Sequence, residues 1–130
     1  MGKNAATARG MYEAFAKGDV QAVVAAMDDN VEWVYPEGGL YDTQVGPQAV
    51  AENVFAPVAK DFNNFTVTVD EYVEGGDVVC TIGRYGGTGV ETGKEFDNDF
   101  VHVLRFGADG KLVRYQEYTD THVARQVRGR

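Results

Sequence analysis

Apolar residues follow two different periods along this chain. Near the start they recur at helical spacing: Ala8, Met11, Tyr12 and Phe15 mark one face of a helix over residues 4–17, and Gly18 ends it. Asp19 then caps a second helix carrying Val20, Val23, Val24 and Met27, which Asp28-Asp29-Asn30 breaks. Val31 to Tyr35 reads as a short strand with Val31, Trp33 and Tyr35 on one face, followed by a Pro36-Glu37-Gly38-Gly39 loop. Gly46-Pro47 opens a third helix, with Val50, Val54, Phe55 and Val58 as its buried stripe and Pro57 expected to loosen or end its last turn. From Phe65 onward the period is two. Phe65, Val67 and Val69 alternate with threonines, and Tyr72 falls out of phase after Asp70-Glu71, which predicts a bulge. Val78, Cys80 and Ile82 begin the next strand after Gly75-Gly76. Helices followed by four successive antiparallel strands predict an α+β fold, with N-terminal helices packed on one face of a curved, mainly antiparallel sheet.

The last two strands form a hairpin over Phe96–Thr121, turning at Ala108-Asp109-Gly110. A three-residue loop with Gly110 left-handed sets Phe100 opposite Tyr118, His102 opposite Gln116 and Asn98 opposite Asp120. On that register one face carries Asn98, Phe100, His102, Leu104, Phe106, Leu112, Gln116, Tyr118 and Asp120. A mostly apolar surface with a few polar groups aimed inward is what a small-molecule pocket needs. The opposite face, with Val101, Val103, Val113 and Tyr115 among charges, is expected to meet a second copy of the chain.

Composition narrows the function classes. The 130 residues are read as one domain, 1–130, with 44% hydrophobic and 25% charged content in the ordinary globular range. A net charge of −8 argues against nucleic acid as a partner, because phosphates would be repelled. Cys80 is the sole cysteine, so no internal disulfide forms, and a reducing cytoplasm is the expected setting. No apolar run nears the ~20 residues of a spanning helix, so no membrane partner is expected. His102, His122 and Cys80 are too few and too scattered for a metal site, and no glycine-rich phosphate cradle precedes a helix, so no cofactor is expected.

Several local signatures occur in a telling order: Tyr12-Glu13-Ala14-Phe15 before Gly18-Asp19, Val31-Glu32-Trp33 before a proline, and Gly46-Pro47-Gln48-Ala49-Val50 at a helix start. Phe100-Val101-His102-Val103, Asp109-Gly110-Lys111 and Tyr118-Thr119-Asp120 follow. Together they resemble the nuclear transport factor 2-like superfamily, a cystatin-like α+β cone, over about residues 4–124. Within it the chain looks most like the SnoaL-like branch of polyketide cyclases and ketosteroid isomerase-related proteins. The resemblance implies a homodimer formed through the sheet and cofactor-independent acid/base chemistry: cyclisation, isomerisation, dehydration or water addition on an apolar organic substrate. Where ketosteroid isomerases carry their three acid/base groups this chain has Met11, Tyr35 and His102, so isomerisation by that mechanism is not expected. Limonene-type epoxide hydrolases are matched at Asp120 and near Arg84, but Gly86 stands where their second aspartate belongs. SnoaL-like cyclases pair a late aspartate with a histidine on the neighbouring strand, and Asp120 with His102 fits that pattern best.

Each candidate has a plainer reading beside the functional one. Asp120 is either a general base or a cap for the segment that begins at Thr121, and His102 either a substrate-orienting group or a hydrogen-bonded core residue. The expected register separates the two by four residues, about 13 Å at ~3.3 Å per residue, so they would meet opposite ends of a ligand and form no dyad. Trp33, Tyr35, Tyr41 and Phe55 either pack the core or line the pocket. Arg84 is either a surface residue or an oxyanion-stabilising group. Asn98, Phe100, Gln116 and Tyr118 complete the candidate ligand-binding set. A non-catalytic ligand-binding or dimerisation module of the same fold is the alternative to an enzyme.

Overall fold

In the computed structural model, which describes residues 2–130, helices pack on the inner face of a curved six-stranded sheet. Helix α1 is Lys3–Ala16 and α2 is Val20–Ala25, the latter capped by the Asp19 carboxylate, which accepts from Ala22 N–H at 3.1 Å. Strand β1, Met27–Val34, absorbs Asp28-Asp29-Asn30, which keep strand geometry at the cost of a register irregularity between Met27 and Glu32. A two-residue strand β2, Gln44–Val45, pairs with β1. Helix α3, Pro47–Val50, runs through a single π-helical turn at Ala51–Phe55 into α4, Ala56–Asp61. Pro57 therefore does not end the helix. Widening it by one turn relieves the clash between a proline ring and the carbonyl four residues back.

Strands β3 (Phe62–Gly75), β4 (Val78–Gly89), β5 (Glu95–Phe106) and β6 (Leu112–Thr119) follow, and helix α5, Thr121–Arg128, closes the chain. The sheet order is β2-β1-β6-β5-β4-β3; β1 lies parallel to β6 and every other pair is antiparallel. The bulge predicted after Asp70 is present: Val69 pairs with Gly83, while Glu71 pairs with Ile82. Val31, Val50, Val54, Val79, Phe100 and Leu112 are among the most completely buried side chains of the core.

The β5–β6 hairpin is where the structure departs from the expected register. Gly110 is left-handed (φ +81°), Gly107 N–H donates to Lys111 O at 2.8 Å, and Phe106 pairs with Leu112, all as a three-residue loop requires. The register then shifts between Arg105 and Phe106, so that Arg105 faces Arg114, Leu104 faces Tyr115, His102 faces Glu117 and Phe100 faces Thr119. Val113 is the extra residue of a β-bulge. The physical reason lies in Leu112-Val113-Arg114-Tyr115. Strict alternation from Leu112 would drive the Arg114 guanidinium into the core and turn Tyr115 outward, and burying an unpaired charge costs far more than one bulge. After the bulge, Tyr115 and Glu117 point inward, while Gln116 and Tyr118 point out.

Candidate functional site

The concave face of the sheet and the helices enclose a cavity of about 110 Å³. Its walls are overwhelmingly apolar and aromatic, and among the described residues no lysine or arginine lines it. Loop residues Gly39–Tyr41 and the inner side of α5 complete the wall. They are clasped together: Arg128 Nη1 donates to Leu40 O at 2.5 Å, Tyr41 Oη donates to Asp61 Oδ2 at 3.0 Å, and Arg130 pairs with Asp61 Oδ1 at 2.6 Å.

Trp33, Tyr35, Tyr41, Phe55 and His102 all line this cavity. Trp33 stacks flat on Tyr115, with centroids 3.6 Å apart, and its indole N–H donates to Tyr35 Oη at 3.0 Å. Phe100 is buried beneath the wall and stacks on His102 at 3.9 Å.

The other candidates lie elsewhere. Asp120 is exposed and is the N-cap of α5, its Oδ1 accepting from Val123 N–H at 3.1 Å; the capping reading holds and the base reading does not. Asn98 is buried, but its amide Nδ2 donates to Thr119 Oγ1 and to Asp120 O, both at 3.0 Å, tying β5 to the start of α5. Gln116 is turned to the outer face by the bulge, where it accepts from Arg114 Nη2, and Tyr118 is 52% exposed. Arg84 is an exposed residue in an ion pair with Asp70 at 3.3 Å.

In their place the bulge brings Glu117 to the cavity. Its Oε2 accepts a 2.5 Å hydrogen bond from Tyr85 Oη, whereas Oε1 has no protein partner. Among the described residues the one sealed side-chain polar atom without a partner is Arg128 Nε, so Glu117 Oε1 opens on the cavity. Burial pushes the Glu117 carboxyl up to about 7, against the hydrogen bond from Tyr85, which pulls it down. Desolvation likewise raises Tyr35, Tyr85 and Tyr115 well above the ordinary tyrosine range, so all three keep their phenolic protons. His102 is held down to about 3 by burial and is a neutral imidazole. Arg114 held the sequence signal for this site: moving it out of the core requires the frame shift that carries Glu117 in.

A carboxylate with one free oxygen beside phenolic donors in a dry cavity can take a proton from a bound carbon acid and stabilise the oxyanion that results.

The SnoaL-like domain model matches residues 8–115. A nuclear transport factor 2-like protein from Burkholderia thailandensis E264 has a similar structure, with 30% identity, 98% of each chain covered and a TM-score of 0.91. TerC, co-crystallised with polyporic acid, is 28% identical over 99% of this chain and 100% of that one, with a TM-score of 0.88. A protein of cystatin-like fold from Xanthomonas campestris shares the fold at 22% identity and a TM-score of 0.85, covering 98% of each chain. Comparison with curated proteins gives no significant match.

Proposed function

We propose, from the premise that this chain belongs to the SnoaL-like domain family, that its cavity takes a small, mainly apolar, ring-bearing organic molecule and that Glu117 is the general base of a cofactor-independent proton transfer. The observation that carries this reading is the free Oε1 of a buried carboxylate facing an aromatic cavity next to the hydroxyls of Tyr35 and Tyr115. Oε1 removes a proton from a carbon beside a carbonyl. The C–H electrons form the carbon–carbon double bond of an enolate, and the carbonyl π electrons move onto oxygen, where Tyr35 and Tyr115 donate hydrogen bonds. The carbanion equivalent then takes the proton back elsewhere, giving isomerisation, or attacks a second carbonyl of the same molecule, whose π electrons become an alkoxide that takes the proton from Oε1, giving ring closure. Either way Glu117 is restored and no other reactant is consumed. The co-crystallisation of TerC with polyporic acid, a ring compound, supports an aromatic or cyclic ligand.

The test uses cyclic ketones and polyketide-like lactones, with polyporic acid as a binding probe. In deuterated water the protein should exchange protons beside the carbonyl of a bound ketone, followed by NMR. Glu117→Gln keeps the shape and removes the base, and should slow exchange by roughly 10²–10⁴-fold with little change in affinity. Binding without exchange by the wild type would favour the non-catalytic module. Exchange at an undiminished rate in Glu117→Gln would end the role given to Glu117.

A further inference from the structure

Glu117 is one end of a chain of five side chains. Thr81 Oγ1 lies 2.7 Å from Tyr12 Oη, Tyr12 Oη 2.6 Å from His102 Nδ1, His102 Nε2 2.6 Å from Tyr85 Oη, and Tyr85 Oη 2.5 Å from Glu117 Oε2. The imidazole ring is clamped between neighbours, with Phe100 stacked on it at 3.9 Å and Tyr115 tilted against it at 4.7 Å. A hydroxyl has one hydrogen and a neutral imidazole has one N–H, so each link holds a single hydrogen. The chain consequently has two consistent senses. Either every hydrogen points toward Glu117, or every one points toward Thr81.

The ends choose between them. Thr81 is completely buried, and among the described residues Tyr12 is its one side-chain hydrogen-bond partner. In the sense that runs to Glu117, Thr81 donates to Tyr12, Tyr12 to Nδ1, Nε2–H to Tyr85 and Tyr85 to Oε2, and every hydrogen has an acceptor. In the reverse sense Tyr12 donates to Thr81, whose own buried hydrogen is left without an acceptor, a penalty that folded proteins avoid. The reverse sense also requires Glu117 to donate from Oε2, which leaves its cavity-facing oxygen bare of a proton.

We propose that His102 is a positioning residue. Held as the Nε2–H tautomer, it keeps the chain pointing at Glu117, so that Oε2 stays an acceptor and any proton taken up by Glu117 sits on Oε1, within reach of the ligand. This rests on the reading of Glu117 as the base. A proton on Oε1 can be handed back to the molecule it came from, whereas a proton on Oε2 would be held behind the carboxyl, against Tyr85. Besides its own members, the titratable groups facing this chain are Tyr72 from β3, set edge-on to Tyr12, Tyr35 just after β1 and Tyr115 from β6.

Nitrogen-15 NMR of the ligand-free protein tests this. The sequence has two histidines, and replacing the exposed His122 with asparagine leaves His102 as the single imidazole signal. His102 should show the Nε2–H tautomer at pH 9 and again at pH 5.5, on both sides of the Glu117 titration. A switch to Nδ1–H as Glu117 takes up its proton would overturn the proposal, because it would mean that the whole chain reverses. An imidazolium at pH 5.5 would overturn it equally. In Tyr85→Phe the link is cut: the ¹³C-carboxyl titration of Glu117 should move upward, and His102 should become a mixture of tautomers. An unmoved Glu117 midpoint together with an unmoved tautomer would again count against the chain. None of these readouts involves turnover. Loss of the Glu117 base role, read from exchange in Glu117→Gln, is thus distinguishable from loss of the tautomer assignment.

Discussion

The carboxyl of Glu117 and the imidazole of His102 pull stability in opposite directions as pH changes. Burial raises Glu117 from 4.5 to about 7, so between those values the folded chain holds a proton that the unfolded chain has released. That contribution is fully present below pH 4.5 and is lost as pH rises through 7. His102 is lowered from 6.5 to about 3, so below pH 6.5 the unfolded chain binds a proton that the folded chain refuses. Its contribution is complete above pH 6.5 and is lost as pH falls toward 3. Between pH 4.5 and 6.5 the two slopes offset each other. Glu117→Gln removes one of them, so the variant should lose stability relative to wild type on going from pH 6.5 to 4.5, by up to about 1.4 kcal/mol per pH unit. Urea denaturation of both proteins at pH 6.5 and 4.5 measures this; parallel pH dependences would refute it. On the proposed role of Glu117, the proton exchange of a bound ketone followed by NMR should speed up with pH through 7 as the carboxyl ionises, then level off.

Of the register shifts in the sheet, two bear on the cavity's inner face, the one after Val69 in β3 and the one at Val113 in β6. At the first, Gly83 of β4 sits opposite Val69, just where the β3 register shifts. A Cβ at Gly83 would run into the Thr68 carbonyl oxygen and come within 2.8 Å of Phe100 Cζ. The backbone carbonyl cannot move cheaply, and Phe100 is the ring stacked on His102. Gly83→Ala should therefore cost about 1–3 kcal/mol, the usual scale of overpacking, and disturb the histidine signal from a distance. Chemical denaturation giving a loss below about 0.5 kcal/mol would mean that the strands part more easily than this packing implies. The second bulge, at Val113, has the larger functional consequence. It exchanges the two faces of β6, sending Gln116 and Tyr118 out and bringing Tyr115 and Glu117 in, because side chains alternate along a strand.

On the outside of the sheet, the same exchange alters the surface expected to meet a second copy. Tyr115 is no longer part of it and Tyr118 takes its place. Val73, Cys80 and Val103 are neighbours across three strands, as are Ile82, Val101 and Tyr118. Val73, Ile82 and Tyr118 are 55%, 37% and 52% exposed. A contiguous apolar patch of this kind is uncommon on a monomer, and we propose that it pairs with itself across a two-fold axis. Sedimentation equilibrium at micromolar concentration should give twice the chain mass of 14.2 kDa, and Val101→Asp should return the protein to a single chain. A wild type that sediments as one chain would dispose of the pairing. No helix among the described residues is long and apolar enough to cross a membrane.

Local pattern determined most of the architecture. Helical spacing of Ala8, Met11, Tyr12 and Phe15 and two-residue alternation from Phe65 specify the α+β order, since each period commits one face of an element to burial. The Asp70 bulge and the left-handed Gly110 were also legible, because one out-of-phase aromatic and one Asp-Gly pair carry that information locally. His102 was readable as a cavity candidate from the alternation along its strand, and Trp33, Tyr35, Tyr41 and Phe55 from the resemblance to a cone-shaped fold whose mouth is lined by aromatics. Glu117 was not. Its direction depends on a one-residue shift at Val113, set by the competing demands of Arg114 and Tyr115 for water and core, and only the assembled sheet resolves that competition. Asp120 likewise has no intrinsic preference between base and cap; the helix that begins at Thr121 claims it. The pairing of Tyr85 with Glu117, 32 residues apart in sequence, comes from strands brought together by the fold. Tertiary structure therefore decided which carboxylate faces the cavity, because a strand's alternation says which residues share a face but a bulge decides which face is inside.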